Sequence, residues 1–200
     1  MTQTGLKKGS IEIICGPMFS GKSEELMRRL RRLKIARKNI LVFKPGVDTR
    51  RGVHLVTSHN GNQMGAVPVE NPHLILDNVG QDIDIVGIDE AQFFSHELVN
   101  VVIELTDMGK HVILAGLNLD FRAVPFGPMP ILMAIADNVT KLSAICMTCG
   151  GDAYFSQRLV DGKPASYDDT LIKVGAEEAY QARCRSCYII DKKAVWQSTL

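Results

Sequence analysis

Residues 16–23 read Gly-Pro-Met-Phe-Ser-Gly-Lys-Ser, and no other stretch restricts so closely what this chain can fold into. The octet fits G-x-x-x-x-G-K-S/T, in which glycines let the backbone curl until successive N–H groups face a bound phosphate. The apolar run at 11–15 before it reads as a strand. The stretch at 23–38 after it reads as a helix with Leu26, Leu30 and Leu33 on one face. A strand, a glycine loop and a helix N-terminus in that order concentrate partial positive charge where a triphosphate would sit. Gly16, Pro17, Met18, Phe19, Ser20, Gly21, Lys22 and Ser23 are therefore candidate nucleotide-binding residues. Lys22 would reach the β- and γ-phosphates, and Ser23 would offer its hydroxyl to Mg2+.

Short apolar runs continue to alternate with helical patterns, which predicts an α/β fold with a largely parallel sheet. Further strands are expected at 40–43, 83–88, 112–117 and 140–145. Helices are expected at 97–108, with Leu98, Val101, Val102 and Leu105 on one face and Gly109 as the stop, and around 129–136. The loops at 46–52 and 58–65 read as mobile segments able to cover a site, and Asn60-Gly61 suits a hairpin turn. After residue 145 the helical period fades. Residues 1–145 thus read as a nucleotide-binding domain and 146–200 as a small second domain.

The run at 83–88 ends in Asp89-Glu90-Ala91-Gln92, as expected of a strand whose carboxyl end delivers acids to a nucleotide site. Asp89 would hold Mg2+ through water. Glu90, facing the other way because strand residues alternate, would accept a proton from an attacking hydroxyl or water. These residues alone leave several reactions open. Asp-Glu-Ala-Gln also fits the acidic box of nucleic-acid helicases, where ATP is simply hydrolysed, but that reading requires a second motor lobe and no second α/β repeat is visible. No Asn-Lys-x-Asp motif points to a GTPase. A nucleotide sensor that binds ATP without turning it over is a third reading.

Four of the five cysteines form two Cys-x-x-Cys pairs, Cys146 with Cys149 and Cys184 with Cys187. Two such knuckles can close a tetrahedral four-thiolate site on zinc, which is structural because no coordination position stays open. Redox chemistry, the alternative, normally uses a single pair beside a helix. A metal there would pin both ends of the intervening loop beside the nucleotide domain, and the loop could fold over a second substrate. Tyr154, Phe155, Tyr167 and Tyr180 give it aromatic surface, which a small core would use equally well. Cys15, in an apolar run, reads as a buried strand residue.

A near-neutral balance, Lys+Arg 23 against Asp+Glu 22, supplies no basic field for nucleic acid and favours small substrates. The arginines of the first helix are offset by Glu24 and Glu25 at ion-pair spacing and lack interleaved aromatic residues, so they read as a solvated or subunit-facing surface. The first ten residues are polar, and no stretch approaches the length of a membrane span. A cytoplasmic protein is expected.

Taken in order, the glycine loop, Asp-Glu-Ala-Gln-Phe-Phe and the two late cysteine pairs resemble the zinc-containing thymidine kinases over about residues 10–190. The resemblance extends to Glu-Leu-Met-Arg-Arg after the loop, Lys44-Pro45, Asp48-Thr49-Arg50, Asp120-Phe121-Arg122, Pro125-Phe126-Gly127 and Lys141-Leu142. It implies a RecA-like parallel sheet with flanking helices, joined to a small zinc-binding domain whose loop forms a substrate lasso. It further implies transfer of the γ-phosphate of MgATP to the 5′-hydroxyl of thymidine, and of deoxyuridine as well, with Glu90 as base. Phe93, Phe121 and Phe126 would wall the pyrimidine pocket, with Ser156 and Tyr180 contacting substrate. Ser156 stands where the family has threonine, and Tyr154-Phe155 is unusual for it. A homotetramer inhibited by the end-product triphosphate, dTTP, is implied as well.

Overall fold

A computed structural model describes residues 8–46, 55–57, 63–171 and 179–192 of the chain. The first strand, β1 (Ser10–Gly16), runs into the glycine loop, and α1 (Lys22–Ile35) leaves it toward β2 (Ile40–Pro45). Next come the short antiparallel pair β3 (Leu55–Thr57) and β4 (Gln63–Gly65), then β5 (Val67–Val69), α2 (His73–Asn78) and β6 (Ile85–Ile88). A 3-10 turn at Ala91–Phe93 leads to α3 (Leu98–Asp107), β7 (His111–Leu117), α4 (Met129–Ile135) and β8 (Asn138–Lys141). Six parallel strands form the central sheet in the order β5, β2, β6, β7, β1, β8.

Both faces of this sheet are covered at its centre, which is why β1, β6 and β7 are nearly continuous apolar runs. On one face Ile11, Ile13 and Cys15 of β1 join Val86, Val112 and Leu114 beneath Leu98, Val101, Val102 and Leu105 of α3, together with Met129 and Leu132 of α4. On the other, Ile14, Val42, Ile85 and Ile113 pack on Leu26, Met27 and Leu30 of α1. Gly87 permits that approach, because a Cβ there would lie 2.9 Å from Leu30 Cδ1. Cys15 is buried in the strand, as expected.

Several boundaries differ from the sequence expectation, three of them for a visible reason. The first helix ends at Ile35, where Ala36 N–H closes back on Arg32 O, three residues before Lys38. The strand expected from residue 83 starts at Ile85, because the Asp84 carboxylate is turned aside to accept the Asn39 N–H at 2.9 Å. The strand expected at 140–145 is two elements. β8 pairs with β1 and stops at Lys141, whereas β9 (Ala144–Ile145) pairs antiparallel with β10 (Asp152–Ala153). β3 and β4 pair antiparallel on either side of Asn60-Gly61, which itself lies outside the described residues, as do the loop at 47–52 and Asp48-Thr49-Arg50.

Beyond β10, β11 (Phe155–Val160) pairs with β12 (Lys163–Pro164) on one side and β13 (Ala179–Arg183) on the other. Ala144, Cys146, Ala153 and Ala182 form a separate small core here, with Cys184 and Cys187 against it.

Candidate active site and cysteine cluster

The carboxyl ends of β1, β2, β6 and β7 share one edge of the parallel sheet, and the charged motif residues collect there. Gly16 ends β1, and a Cβ at this position would lie 2.6 Å from Leu142 O and 2.8 Å from Ser20 Oγ. Gly21 precedes α1 in the left-handed region at φ 79°. Phe19, at φ 65°, takes the same region without being glycine, which costs about 1 kcal/mol, and its ring stays largely exposed. The Pro17 carbonyl accepts from Ser20 Oγ at 2.8 Å and from Lys22 Nζ at 2.6 Å. Burial lowers the pKa of the Lys22 ammonium from its ordinary value, and the charges of Glu90 and Asp89 oppose that shift.

The two acids come together with the start of α1. Ser23 Oγ donates to Asp89 Oδ1 at 3.2 Å, and the Glu90 N–H donates to the same oxygen at 3.0 Å. Burial, and then the neighbouring Glu90 charge, push the Asp89 carboxyl up to about 7. Glu90 points by a different device from strand alternation: β6 has already ended, and Glu90 sits in the left-handed region at φ 52°, leading into the 3-10 turn. The buried Gln92 then donates from Nε2 to Glu90 Oε2 at 2.6 Å and accepts the Leu117 N–H at 2.9 Å. Gly127 allows the loop before α4 to close on this turn, since a Cβ there would lie 2.4 Å from Gln92 O. A hydroxyl able to ligate a cation, two carboxylates, an ammonium and loop N–H groups at one edge make a fitting cradle for a metal-bound triphosphate beside a base.

Two rings of the expected aromatic wall are in contact. Phe93 and Phe126 meet edge to face at 5.5 Å between centroids. Phe121, at the tip of the loop between Asn118 and Phe126, is buried beneath Arg158, whose guanidinium lies 5.2 Å from its centroid. The Tyr188 hydroxyl donates to the Phe121 carbonyl at 2.6 Å. Ser156 is buried in β11 and its Oγ accepts the Met18 N–H at 2.9 Å, a link between the second module and the glycine loop that the sequence did not announce. Tyr180 lies in β13 opposite Arg158. Tyr154 lies beneath the Lys141 ammonium, and Phe155 stacks on Tyr188, so the unusual pair serves packing between segments. A cleft of about 490 Å3 opens at the same edge between Pro45, Glu70, Asn71, Phe93 and Glu97; of the expected substrate residues it takes in Phe93 alone.

Cys146, Cys149, Cys184 and Cys187 converge with their sulfur atoms all within 4.8 Å of one another, and the Sγ atoms of Cys149 and Cys184 are 3.7 Å apart. Tetrahedral thiolate ligation at about 2.3 Å from a central zinc demands sulfur spacings of about 3.8 Å, so the quartet fits such an ion. Backbone N–H groups, first that of Cys184, pull the Cys146 thiol down to about 6, whereas hydrogen bonding with Cys184 and then Cys149 holds Cys187 up to about 12. Sulfurs this close cannot all be thiolates unless a cation lies among them. The cluster can therefore hold a metal such as zinc.

Among the described residues no helix is long and apolar enough to cross a membrane. The sequence model of the family described as thymidine kinase matches residues 9–188 of the 200, spanning both the glycine-loop sheet and the cysteine cluster. The chain belongs to the thymidine kinase family and is an ATP-dependent kinase that phosphorylates thymidine.

Proposed function

We propose that Glu90 is the catalytic base of this kinase, accepting the proton of the nucleoside 5′-hydroxyl as the γ-phosphate of ATP moves in line onto it. The observation that most supports this is the hydrogen bond from Gln92 to Glu90 Oε2, which orients the carboxylate beside the Ser23–Asp89 pair. Gly16, Pro17, Met18, Phe19, Ser20, Gly21, Lys22 and Ser23 cradle the triphosphate, with Asp89, Glu90, Ala91 and Gln92 closing the other side. Lys22 neutralises the migrating group together with the loop amides. Ser23 and Asp89 would hold a magnesium ion, which would supply further neutralisation of the phosphate oxygens. Phe93, Phe121, Phe126, Ser156 and Tyr180 bound the nucleoside, which includes deoxyuridine as a second acceptor.

In this reading residues 1–145 form the nucleotide domain and 146–200 a zinc domain, in which Cys146, Cys149, Cys184 and Cys187 hold a structural zinc ion and the lasso excludes water from the transfer. The enzyme works in the cytoplasm as a homotetramer, takes no nucleic-acid or membrane partner, and is inhibited by dTTP.

The test is ATP consumption at saturating Mg2+ with thymidine, deoxyuridine, deoxycytidine or deoxyguanosine added in turn, for the parent and Glu90→Gln. The parent should respond to thymidine and deoxyuridine, and the variant should lose about a thousandfold in kcat while still binding ATP. A variant with kcat within a few-fold of the parent would remove Glu90 from the role of base.

A further inference from the structure

The tip of the phosphate loop is fastened to the cysteine module by one hydroxyl. Ser156 Oγ accepts the Met18 N–H at 2.9 Å from a position that is almost fully buried. In the β11–β13 ladder Ser156 stands opposite Ala182. The Ala182 carbonyl accepts the N–H of Met147, the residue that follows Cys146 in the first knuckle, at 3.0 Å, and Cys184 lies two residues beyond Ala182. From the cysteine cluster to the phosphate loop the path is therefore one knuckle, one strand rung and one side chain.

A second thread runs in parallel. The Leu142 N–H bonds to Cys15 O at 2.7 Å, and Leu142 O lies against Gly16 at the root of the loop. Ser143 then donates to Asp152 at 3.1 Å, and β9 carries the chain into Cys146. The backbone thread holds the root of the loop, whereas Ser156 holds its tip, where Phe19 already occupies a disfavoured conformation.

We infer that Ser156 is a positioning residue through which occupancy of the four-cysteine site sets the conformation of the phosphate loop and hence its affinity for nucleotide. A metal fixes both knuckles, the knuckles fix β13, β13 fixes the register of β11, and Ser156 passes that position to Met18. Its own O–H remains available to donate, so this use of the oxygen is compatible with a substrate contact. The inference assumes that the cysteines hold a metal, and each arm below reads the Ser156 link and the metal separately.

The experiment follows hydrogen exchange of the Met18 amide and the Kd of a non-hydrolysable Mg–ATP analogue, with no nucleoside present, in the parent, Ser156→Ala and Ser156→Thr. Each protein is measured as purified and after chelator treatment, with metal content determined by elemental analysis. In the parent the Met18 amide should be protected, and metal removal should expose it and weaken nucleotide binding about fivefold, the worth of one hydrogen bond. Ser156→Ala should show the exposed amide and the weaker Kd from the start, with metal removal adding nothing further, and Ser156→Thr should restore both. Unchanged Met18 exchange in Ser156→Ala overturns the link. A full metal effect on Kd in Ser156→Ala, equal to the parent's, overturns the route through Ser156. Parent protein that contains no metal and is insensitive to chelator overturns control by the cysteine site, and the Ser156→Ala exchange still decides the link itself.

Discussion

The Gln92 side chain locks Glu90 to the end of β7, donating to Glu90 Oε2 at 2.6 Å while accepting the Leu117 N–H at 2.9 Å. Both ends of its amide are used, so its orientation is fixed by a strand of the central sheet. Glu90, at φ 52°, has no regular backbone structure of its own to hold it. Gln92→Leu keeps the bulk but removes both bonds. It should lower kcat about thirtyfold while leaving KM for ATP within about threefold, the pattern of a misdirected base. Steady-state kinetics with both substrates varied checks this, and equal losses in kcat and ATP affinity would show instead that the loop had collapsed.

The cysteine cluster predicts one metal ion per chain. The core beside it is small, with Ala144, Cys146, Ala153 and Ala182 as its buried residues, so the module depends on its ligands more than the central sheet does. Chelation in reductant, or Cys149→Ser, should cause residues 144–192 to exchange hydrogen rapidly while β1, β6 and β7 stay protected. Elemental analysis finding no metal in freshly purified reduced protein would refute the prediction.

How far these features could be read from the sequence depends on whether the signal is local. β1, the glycine loop and α1 are adjacent in the chain, and Ile11, Ile13 and Leu26 show their periodicity directly. The cysteine quartet was legible because ligand chemistry fixes the spacing of each pair. By contrast, β5 is three residues with Pro68 at its centre, tolerated because it is a sheet edge, and carries no strand signature. The split between β8 and β9 was hidden because Leu142 looks like a strand residue; it leaves the sheet at a backbone bond to Cys15. Ser156 was singled out for substrate by resemblance, yet its bond to Met18 spans 138 positions and no sequence pattern encodes it. The tight loop that carries Phe121 was equally hidden, because it is held by the Asp120 carboxylate, which accepts the N–H groups of Arg122 and Val124.

Glu25 on α1 accepts from Arg28 Nε at 2.6 Å and Arg29 Nε at 2.8 Å, and Arg29 also reaches Glu12 of β1 at 2.6 Å. The Arg28 hydrogen bond, foremost, holds the Glu25 carboxyl down at about 2. Because the folded-state pKa is depressed, the contribution is present above the unfolded value near 4.5 and is lost as pH falls toward 2. Glu25→Gln should therefore be less stable than the parent at pH 7 by about 0.5 kcal/mol, allowing for solvent screening. The gap should close between pH 4.5 and pH 2. Urea titrations of both proteins across that range check it, and a gap that persists at pH 2 would mean Glu25 acts through packing.

Lys110, almost fully buried just before β7, turns its ammonium onto three backbone carbonyls, Ile83 O at 2.7 Å, Gly80 O at 2.9 Å and Gln81 O at 3.2 Å. It thereby closes the turn that delivers the chain into β6, at the amino edge of the sheet, opposite the edge where Asp89 and Glu90 emerge. Lys110→Met retains most of the stem but leaves those carbonyls without their donor, at a cost of about 2 kcal/mol. In a chain of this size that corresponds to a fall in Tm of about 6 °C. Since the opposite edge is untouched, kcat and both KM values at 25 °C should match the parent. Differential scanning calorimetry beside steady-state kinetics separates the two effects: an unchanged Tm would show that water satisfies the carbonyls equally well, and a lost kcat at full stability would show that strain at the amino edge of β6 reaches the acids at its other end.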